Sequence, residues 1–113
     1  MSSRRRSLPA ASQHLLLALL DGEQHGYALM RQVEEQSGGT VRMGPGTLYG
    51  TLNRLVADGL IVESTGRVER EPDDRRRYYE LTADGRAAAL TELERLRTLL
   101  DRTAHHLPHP GPA

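Results

Sequence analysis

Two short helix patterns follow each other between residues 26 and 58, and this pair constrains the fold more than any other feature. Each pattern has an apolar stripe at helical spacing, the first over 26–36 and the second over 45–58. Gly38 and Gly39 end the first helix, because glycine tolerates the backbone conformation found at helix C-termini. Pro45 suits the first turn of the second helix, where a missing N–H costs nothing. The pattern predicts a helix–turn–helix unit.

The segments on either side complete the order of elements. Leucines at helical spacing predict a helix over 10–20. Residues 60–65 and 77–82 are rich in β-branched and aromatic side chains and predict two strands, joined by a long, charged, exposed loop. A last helix over 83–104 follows Thr82, a suitable N-cap. The predicted fold class is mainly α (α+β): a winged helix-turn-helix with a two-stranded wing and a C-terminal dimerisation helix.

Composition excludes several classes of protein. The chain has 113 residues, balances 15 arginines against 15 acidic residues, and contains no cysteine, which rules out disulfides and thiolate chemistry. No Ser/His/Asp constellation, paired carboxylate or phosphate-binding loop is recognisable, so we expect neither an enzyme nor a cofactor. The histidines near the C-terminus lack cysteine and a positioned carboxylate and stand beside three prolines, so we read them as a solvated tail without a metal. No signal peptide or apolar run of roughly 20 residues is present, which favours a cytoplasmic protein without a membrane partner.

The second helix of the pair presents small and hydrogen-bonding side chains on its outer face. A DNA major groove, about 12 Å wide, admits one α-helix with such a face. Thr47, Tyr49 and Asn53 offer hydrogen bonds to phosphates or base edges, Gly50 permits close approach, and Arg54 supplies positive charge. The pattern alone fits an ordinary amphipathic surface helix equally well.

Four short motifs together resemble a known family. They are His25-Gly26-Tyr27, Gly46-Thr47-Leu48-Tyr49, Asp58-Gly59-Leu60-Ile61, and Arg76-Arg77-Tyr78-Tyr79-Glu80-Leu81-Thr82 followed by Gly85. Their order and separation, over residues from about 12 to 100, resemble the PadR family of bacterial transcriptional regulators, in particular its short branch with a single C-terminal helix. The resemblance implies a winged-helix domain, a dimerisation helix, operator DNA as ligand, and repression that a small molecule usually relieves.

The resemblance also suggests roles for individual residues. It places the helix that carries Thr47, Tyr49, Gly50, Asn53 and Arg54 in the major groove. The wing would touch the DNA backbone or minor groove through Arg75, Arg76 and either Arg67 or Arg70. A solvated charged loop is the alternative for the wing, because residues 63–80 hold five arginines but six acidic residues. Whether the arginines at 4–6 form a minor-groove arm or a solubilising terminus stays open.

The last helix carries an apolar seam at the spacing of a coiled-coil contact. With contributions from the first helix, this seam predicts a homodimer through Leu15, Leu19, Ala89, Leu93, Leu96 and Leu100. The expected partners are double-stranded operator DNA, a second copy of the chain, and a small-molecule effector. Two alternatives remain: a winged helix of another repressor family, and a winged-helix protein-interaction module without DNA binding.

These predictions divide the chain into four parts. Residues 1–9 form a flexible basic arm and residues 10–82 the winged helix-turn-helix DNA-binding domain. Residues 83–104 form the C-terminal dimerisation helix, and residues 105–113 a disordered tail.

Overall fold

A computed structural model of the chain describes residues 8–64 and 76–108. Its elements in chain order are α1 (Ala10–Ala18, continued by a 3-10 turn over Leu19–Asp21), β1 (Gln24–His25), α2 (Gly26–Gln36), α3 (Pro45–Ala57), β2 (Ile61–Glu63), β3 (Tyr78–Leu81) and α4 (Ala83–Thr103, continued by a 3-10 turn over Ala104–His106). The predictions for the basic arm up to residue 7, the wing loop with Arg67, Arg70 and Arg75, and the last five residues lie outside the described residues.

The helix–turn–helix pair is present as predicted, and its two helices end in the same way. Gly38 and Gly59 follow the ends of α2 and α3 with φ of 63° and 77°. In each case the next residue donates its N–H to a carbonyl five positions earlier, from Gly39 to Glu34 at 2.8 Å and from Leu60 to Leu55 at 3.0 Å. This is the Schellman arrangement that favours glycine, so the glycines fix where both helices stop.

The sheet has three antiparallel strands in the order β1-β3-β2, one more than the two-stranded wing we predicted. The additional strand, β1, pairs Gln24 with Tyr79 and His25 with Tyr78. Two residues are too short to produce a recognisable alternation, and this strand exists only because β3 lies beside it. Tyr78 is 7% exposed, and the ring of His25 in β1 packs edge to face against it.

One hydrophobic core joins the helices and the sheet. Its fully buried members come from all four helices and from both strands of the wing: Leu15, Leu16, Leu29, Val33, Leu48, Leu52, Leu55, Ile61, Tyr79 and Ala89. The core corrects part of the predicted dimer seam. Leu15, Leu19 and Ala89 are at most 2% exposed within the single chain, because α1 packs against α4, so their side chains do not reach a surface where a partner could contact them.

The start of α4 is attached to the end of α3. The hydroxyl of Thr82 caps α4 by accepting from the Gly85 N–H at 3.0 Å, and it donates to the Gly59 carbonyl at 2.7 Å. The Thr82 N–H donates to the Leu60 carbonyl at 3.1 Å, and Gly85 lies directly against the Leu60 backbone. Beyond Ala89, α4 leaves the core.

No helix among the described residues has the length and apolar character needed to span a membrane.

Candidate nucleic-acid interface

Helix α3 separates apolar and polar side chains onto opposite faces. Leu48, Leu52 and Leu55 are at most 1% exposed and hold the helix to the core. The outer face consists of residues that are all exposed: Thr47, Gly50, Asn53 and Arg54. A Cβ added at Gly50 would meet no atom within 4 Å, so this position is open to any surface that approaches. Four of the five predicted α3 contact residues therefore stand together on one accessible face.

Tyr49 differs from the other predicted contact residues because it is half-buried. Its ring lies against Gly26, the first residue of α2, where an added Cβ would come within 2.8 Å of Tyr49 Cζ. The absence of a side chain at Gly26 is what leaves room for the ring. Tyr49 thus braces α3 against α2, and only part of its ring reaches the surface.

The described part of the wing places Arg76 beside the start of α2. Its guanidinium carbon lies 6.0 Å from the centre of the Tyr78 ring, within the range of a cation–π contact. Its Nη1 is 3.3 Å from His25 Nε2. Arg75, the other predicted wing contact, lies outside the described residues.

A hollow of about 520 Å³ joins these elements into one surface. It is lined by Tyr27, Tyr49, Asn53, Arg76 and Arg77. The position of Tyr27 matches the apolar stripe of α2 by spacing, but its side chain is 54% exposed. Neither Tyr27 nor Arg77 was assigned to the interface from sequence. The only signal in the sequence for assigning Tyr27 to this surface is that it carries an aromatic ring with a hydroxyl group and directly follows His25-Gly26.

Arg77 also reaches back to the buried end of the sheet. Burial raises the pKa of the Tyr79 phenol above its ordinary value of 10.0, and the hydrogen bond from Arg77 opposes that rise. The guanidinium therefore stabilises the edge of the core while lining the hollow. This agrees with the strand alternation, which puts Arg77 on the same side as Tyr79.

A second hollow, of about 310 Å³, flanks α3 on the side of α1. It is lined by Pro9, Ala11, Ser12, Thr47, Gly50, Thr51 and Arg54. The outer face of α3 thus forms a ridge between two depressions.

Comparison with known proteins identifies the family. A model of the transcriptional regulator PadR-like family matches residues 15–91. This chain belongs to the PadR-like family. Transcriptional regulator Rv3488 of Mycobacterium tuberculosis is 44% identical over 84 residues, which cover 74% of this chain and 71% of that protein. The resemblance drawn from the four motifs is confirmed, and so is the expectation of a regulator and not an enzyme.

Solved structures confirm the winged-helix architecture of this PadR-like chain. RosR of H. salinarum is 29% identical, with a TM-score of 0.63 over 90% of this chain and 98% of that chain. The MarR family regulator SPO1453 of Silicibacter pomeroyi is 21% identical, with a TM-score of 0.68 over 88% of this chain and 62% of that chain. The second comparison shows similarity of fold alone.

Most of α4 beyond Ala89 carries an apolar face that no other element within residues 8–64 and 76–108 covers. Its leucines are between 37% and 52% exposed: Leu90, Leu93, Leu96, Leu99 and Leu100. All of them except Leu99 line an open hollow of about 700 Å³, together with Glu94 and Arg97. Glu94 and Arg97 form an i,i+3 ion pair, as do Glu92 and Arg95. The part of the chain that the structure describes contains no group of three residues arranged to hold a metal ion.

Proposed function

We propose that this PadR-like chain is a sequence-specific DNA-binding repressor that acts in the cytoplasm as a homodimer on a pseudo-palindromic operator. The observation that carries the proposal is the outer face of α3. It presents exposed polar side chains and an open glycine, while the opposite face is fixed to the core by buried leucines. A helix held in this way can enter a major groove without rearranging its own packing.

The roles of the contact residues follow from their chemistry. Asn53 and Arg54 have the donors that read base edges or bind phosphates, and Thr47 adds a hydroxyl at the helix start. Gly50 lets the helix backbone come close to the duplex. Arg76, together with Arg75, meets the DNA backbone beside the recognition helix, since phosphate contacts fix the orientation of a protein on DNA.

A second copy of the chain would cover the leucines on the far half of α4. The proposed interface consists of Leu93, Leu96 and Leu100, with Leu90 and Leu99 at its margins. Leu15, Leu19 and Ala89 act indirectly, because they hold α4 on its own domain. A two-fold axis through this interface would place two α3 helices about 34 Å apart, on successive major grooves.

We infer an effector site at the same place. The hollow along α4 is open in one chain and would be closed by the α4 of a second copy. A ligand bound there could change the distance between the two α3 helices, provided that it binds one dimer shape more tightly than the other. Because the chain has neither Trp nor Phe, the ligand would contact leucine side chains and not stacked aromatic rings.

The variant Gly50→Ala separates DNA contact from folding. Alanine in the middle of α3 should stabilise the free protein by about 0.5–1 kcal/mol, since a helical glycine is unfavourable and the added methyl meets nothing. The same methyl should weaken binding to the chain's own upstream DNA in a gel shift, because it blocks close approach of the duplex. Higher stability combined with unchanged DNA affinity would remove this face from the interface.

Charge provides an independent test. Arg54→Ala should weaken operator binding with the dimer intact, whereas Arg102→Ala, which removes one arginine from the far end of α4, should leave binding unchanged. Affinity should also fall steeply with salt despite the neutral overall charge, because phosphate contacts release counterions. If the wild-type chain binds no duplex at any salt concentration, the proposal fails in favour of a protein-interaction module.

A further inference from the structure

The hollow between α1 and α3 has a buried hydroxyl group in its wall. Ser12 is 3% exposed and lines this hollow of about 310 Å³. Its side chain forms no hydrogen bond with any residue in 8–64 or 76–108. A buried hydroxyl is normally paired, because an unpaired one has lost its hydration without compensation. Ser12 therefore offers the hollow a hydrogen-bond donor that the fold itself does not use.

The first turn of α1 adds backbone donors at the same place. The helix begins after Pro9, which provides no side-chain cap, and its first backbone hydrogen bond runs from the Gln13 N–H to the Pro9 carbonyl at 2.9 Å. The N–H groups of Ala10, Ala11 and Ser12 therefore have no acceptor within the helix. No acidic side chain lies in this turn to offset the partial positive charge of the helix N-terminus. Because Ala11 and Ser12 line the hollow, this end of α1 favours an anion there.

Arg54 lines the hollow from the side of α3. Its side chain is exposed and forms no ion pair or hydrogen bond within the described part of the chain. None of the residues that line the hollow is acidic, so no carboxylate there would repel an anion. The hollow thus combines a full positive charge, a helix N-terminus and a hydroxyl donor. Phosphate oxygens accept hydrogen bonds from all three kinds of group.

We propose that Ser12, the first N–H groups of α1 and Arg54 together bind one phosphodiester group of the operator backbone. The inference rests on the proposed DNA-binding function. The hollow shares Thr47, Gly50 and Arg54 with the outer face of α3, so a DNA strand at the edge of the occupied major groove passes directly over it. Phosphate contacts set the orientation of a protein on a duplex. Ser12 thus attaches α1 to the DNA backbone while α3 reads the groove.

The variant Ser12→Ala removes the hydroxyl and keeps the packing of α1. Its Tm should not fall, because alanine favours a helix and no hydrogen bond of the free protein is lost. Operator affinity should fall about tenfold for each half-site, as expected for a hydrogen bond to a charged group. A serine that only fills space between the helices would give wild-type affinity in a gel shift, and that result would overturn the inference.

Thr51→Val is the matched control, because it removes a different hydroxyl from the wall of the same hollow. The Thr51 hydroxyl donates to the Thr47 carbonyl within α3 at 2.7 Å, so it has no hydrogen left for a phosphate oxygen. Valine keeps the shape of threonine, and operator affinity should stay that of the wild type. A loss as large as that of Ser12→Ala would show that the shape of the hollow matters and not the Ser12 donor, and the inference would fail.

A scan of the DNA backbone identifies the phosphate. Each phosphodiester of one half-site is replaced in turn by a neutral methylphosphonate. We expect one position at which the replacement weakens wild-type binding about tenfold but has a much smaller effect on Ser12→Ala and on Arg54→Ala. Sensitivity of the two variants to different phosphates would rule out a shared site. Failure of the wild type itself to bind any duplex would instead refute the proposed function.

A free anion can use the same donors, and NMR distinguishes the two sources. The amide signals of Ala11 and Ser12 are followed while the DNA-free chain is titrated with inorganic phosphate, and again with operator DNA. We expect large changes with DNA and small ones with phosphate, because the rest of the duplex holds the phosphodiester at a high effective concentration. Saturation by inorganic phosphate alone, with no methylphosphonate effect, would assign the hollow to a soluble anion and overturn the inference.

Discussion

The contact between Gly26 and Tyr49 predicts that a single methyl group at the start of α2 will disturb the packing of α3. In Gly26→Ala, the new Cβ would lie 2.8 Å from Tyr49 Cζ and 3.1 Å from Cε1, closer than a van der Waals contact allows. The half-buried Tyr49 ring must therefore shift, which disturbs its packing between α2 and α3. Overpacking of this kind costs about 1–3 kcal/mol, and the better helix propensity of alanine recovers less than about 1 kcal/mol.

The expected net destabilisation is about 1–2 kcal/mol, which corresponds to a loss of roughly 5–10 °C in Tm for a domain of this size. Calorimetry or circular dichroism would measure the loss, and a gel shift should show weaker operator binding. Gly46→Ala is the matched control, because it adds a methyl to the first turn of α3 with no atom within 4 Å. It should not lower Tm.

A double-mutant cycle isolates the contact itself. In a Tyr49→Ala background the ring is absent, so Gly26→Ala should cost nothing or should stabilise the protein slightly. The two substitutions should therefore be coupled by about 1–3 kcal/mol, as neighbouring side chains are. Equal costs of Gly26→Ala in both backgrounds would show that Tyr49 does not rest on Gly26, and the bracing role would be wrong.

Three further predictions concern dimerisation and stability. Leu93→Asp combined with Leu96→Asp should raise the dimer dissociation constant about a thousandfold or more, since each half-exposed leucine gains about 1 kcal/mol on burial and the dimer loses four leucines. Analytical ultracentrifugation should then detect monomers. A dimer that persists in this variant would place the interface elsewhere. Gly85→Ala should lower the free energy of unfolding by about 3 kcal/mol in a denaturant titration, because its Cβ would collide with the Leu60 backbone. The pKa of Tyr79 is raised in the folded state, so above pH 10.0 the phenol loses its proton first in the unfolded chain. The contribution of Tyr79 to the free energy of unfolding should therefore be complete below pH 10.0 and decline above it. Tyr79→Phe should remove that alkaline decline.

The sequence predicted the long, periodic elements well because their signals are local. The apolar stripes of α2 and α3, the glycines after them and the Thr82 cap each depend on residues within a few positions. Strand β1 carried no such signal, because its two residues become a strand only through pairing with Tyr78 and Tyr79 far along the chain. Local patterns predict helices and turns, whereas short strands depend on the whole fold.

The candidate site shows a second limit of prediction from sequence. Hydrophobic spacing identifies which side chains are buried but not what covers them, so Leu15 and Ala89 were assigned to a partner although the chain's own core encloses them. Tyr27 fits the apolar stripe of α2 by spacing alone, yet its side chain is 54% exposed. More of the exposed face of α3 was predicted from the sequence. Its leucines recur at helical spacing, and their burial forces the polar residues between them onto the opposite face of the helix.

The attachment of Thr82 and Gly85 to the end of α3 has a mechanical consequence. The end of α3 and the start of the 21-residue helix α4 are joined directly by two hydrogen bonds and one close backbone contact. At about 1.5 Å per residue, Leu100 stands roughly 22 Å beyond Gly85. A displacement of about 2 Å at Leu100 therefore corresponds to a rotation of roughly 5° at the joint. In the proposed dimer, a ligand bound between the two α4 helices would therefore need to separate them only slightly to change the distance between the two α3 helices.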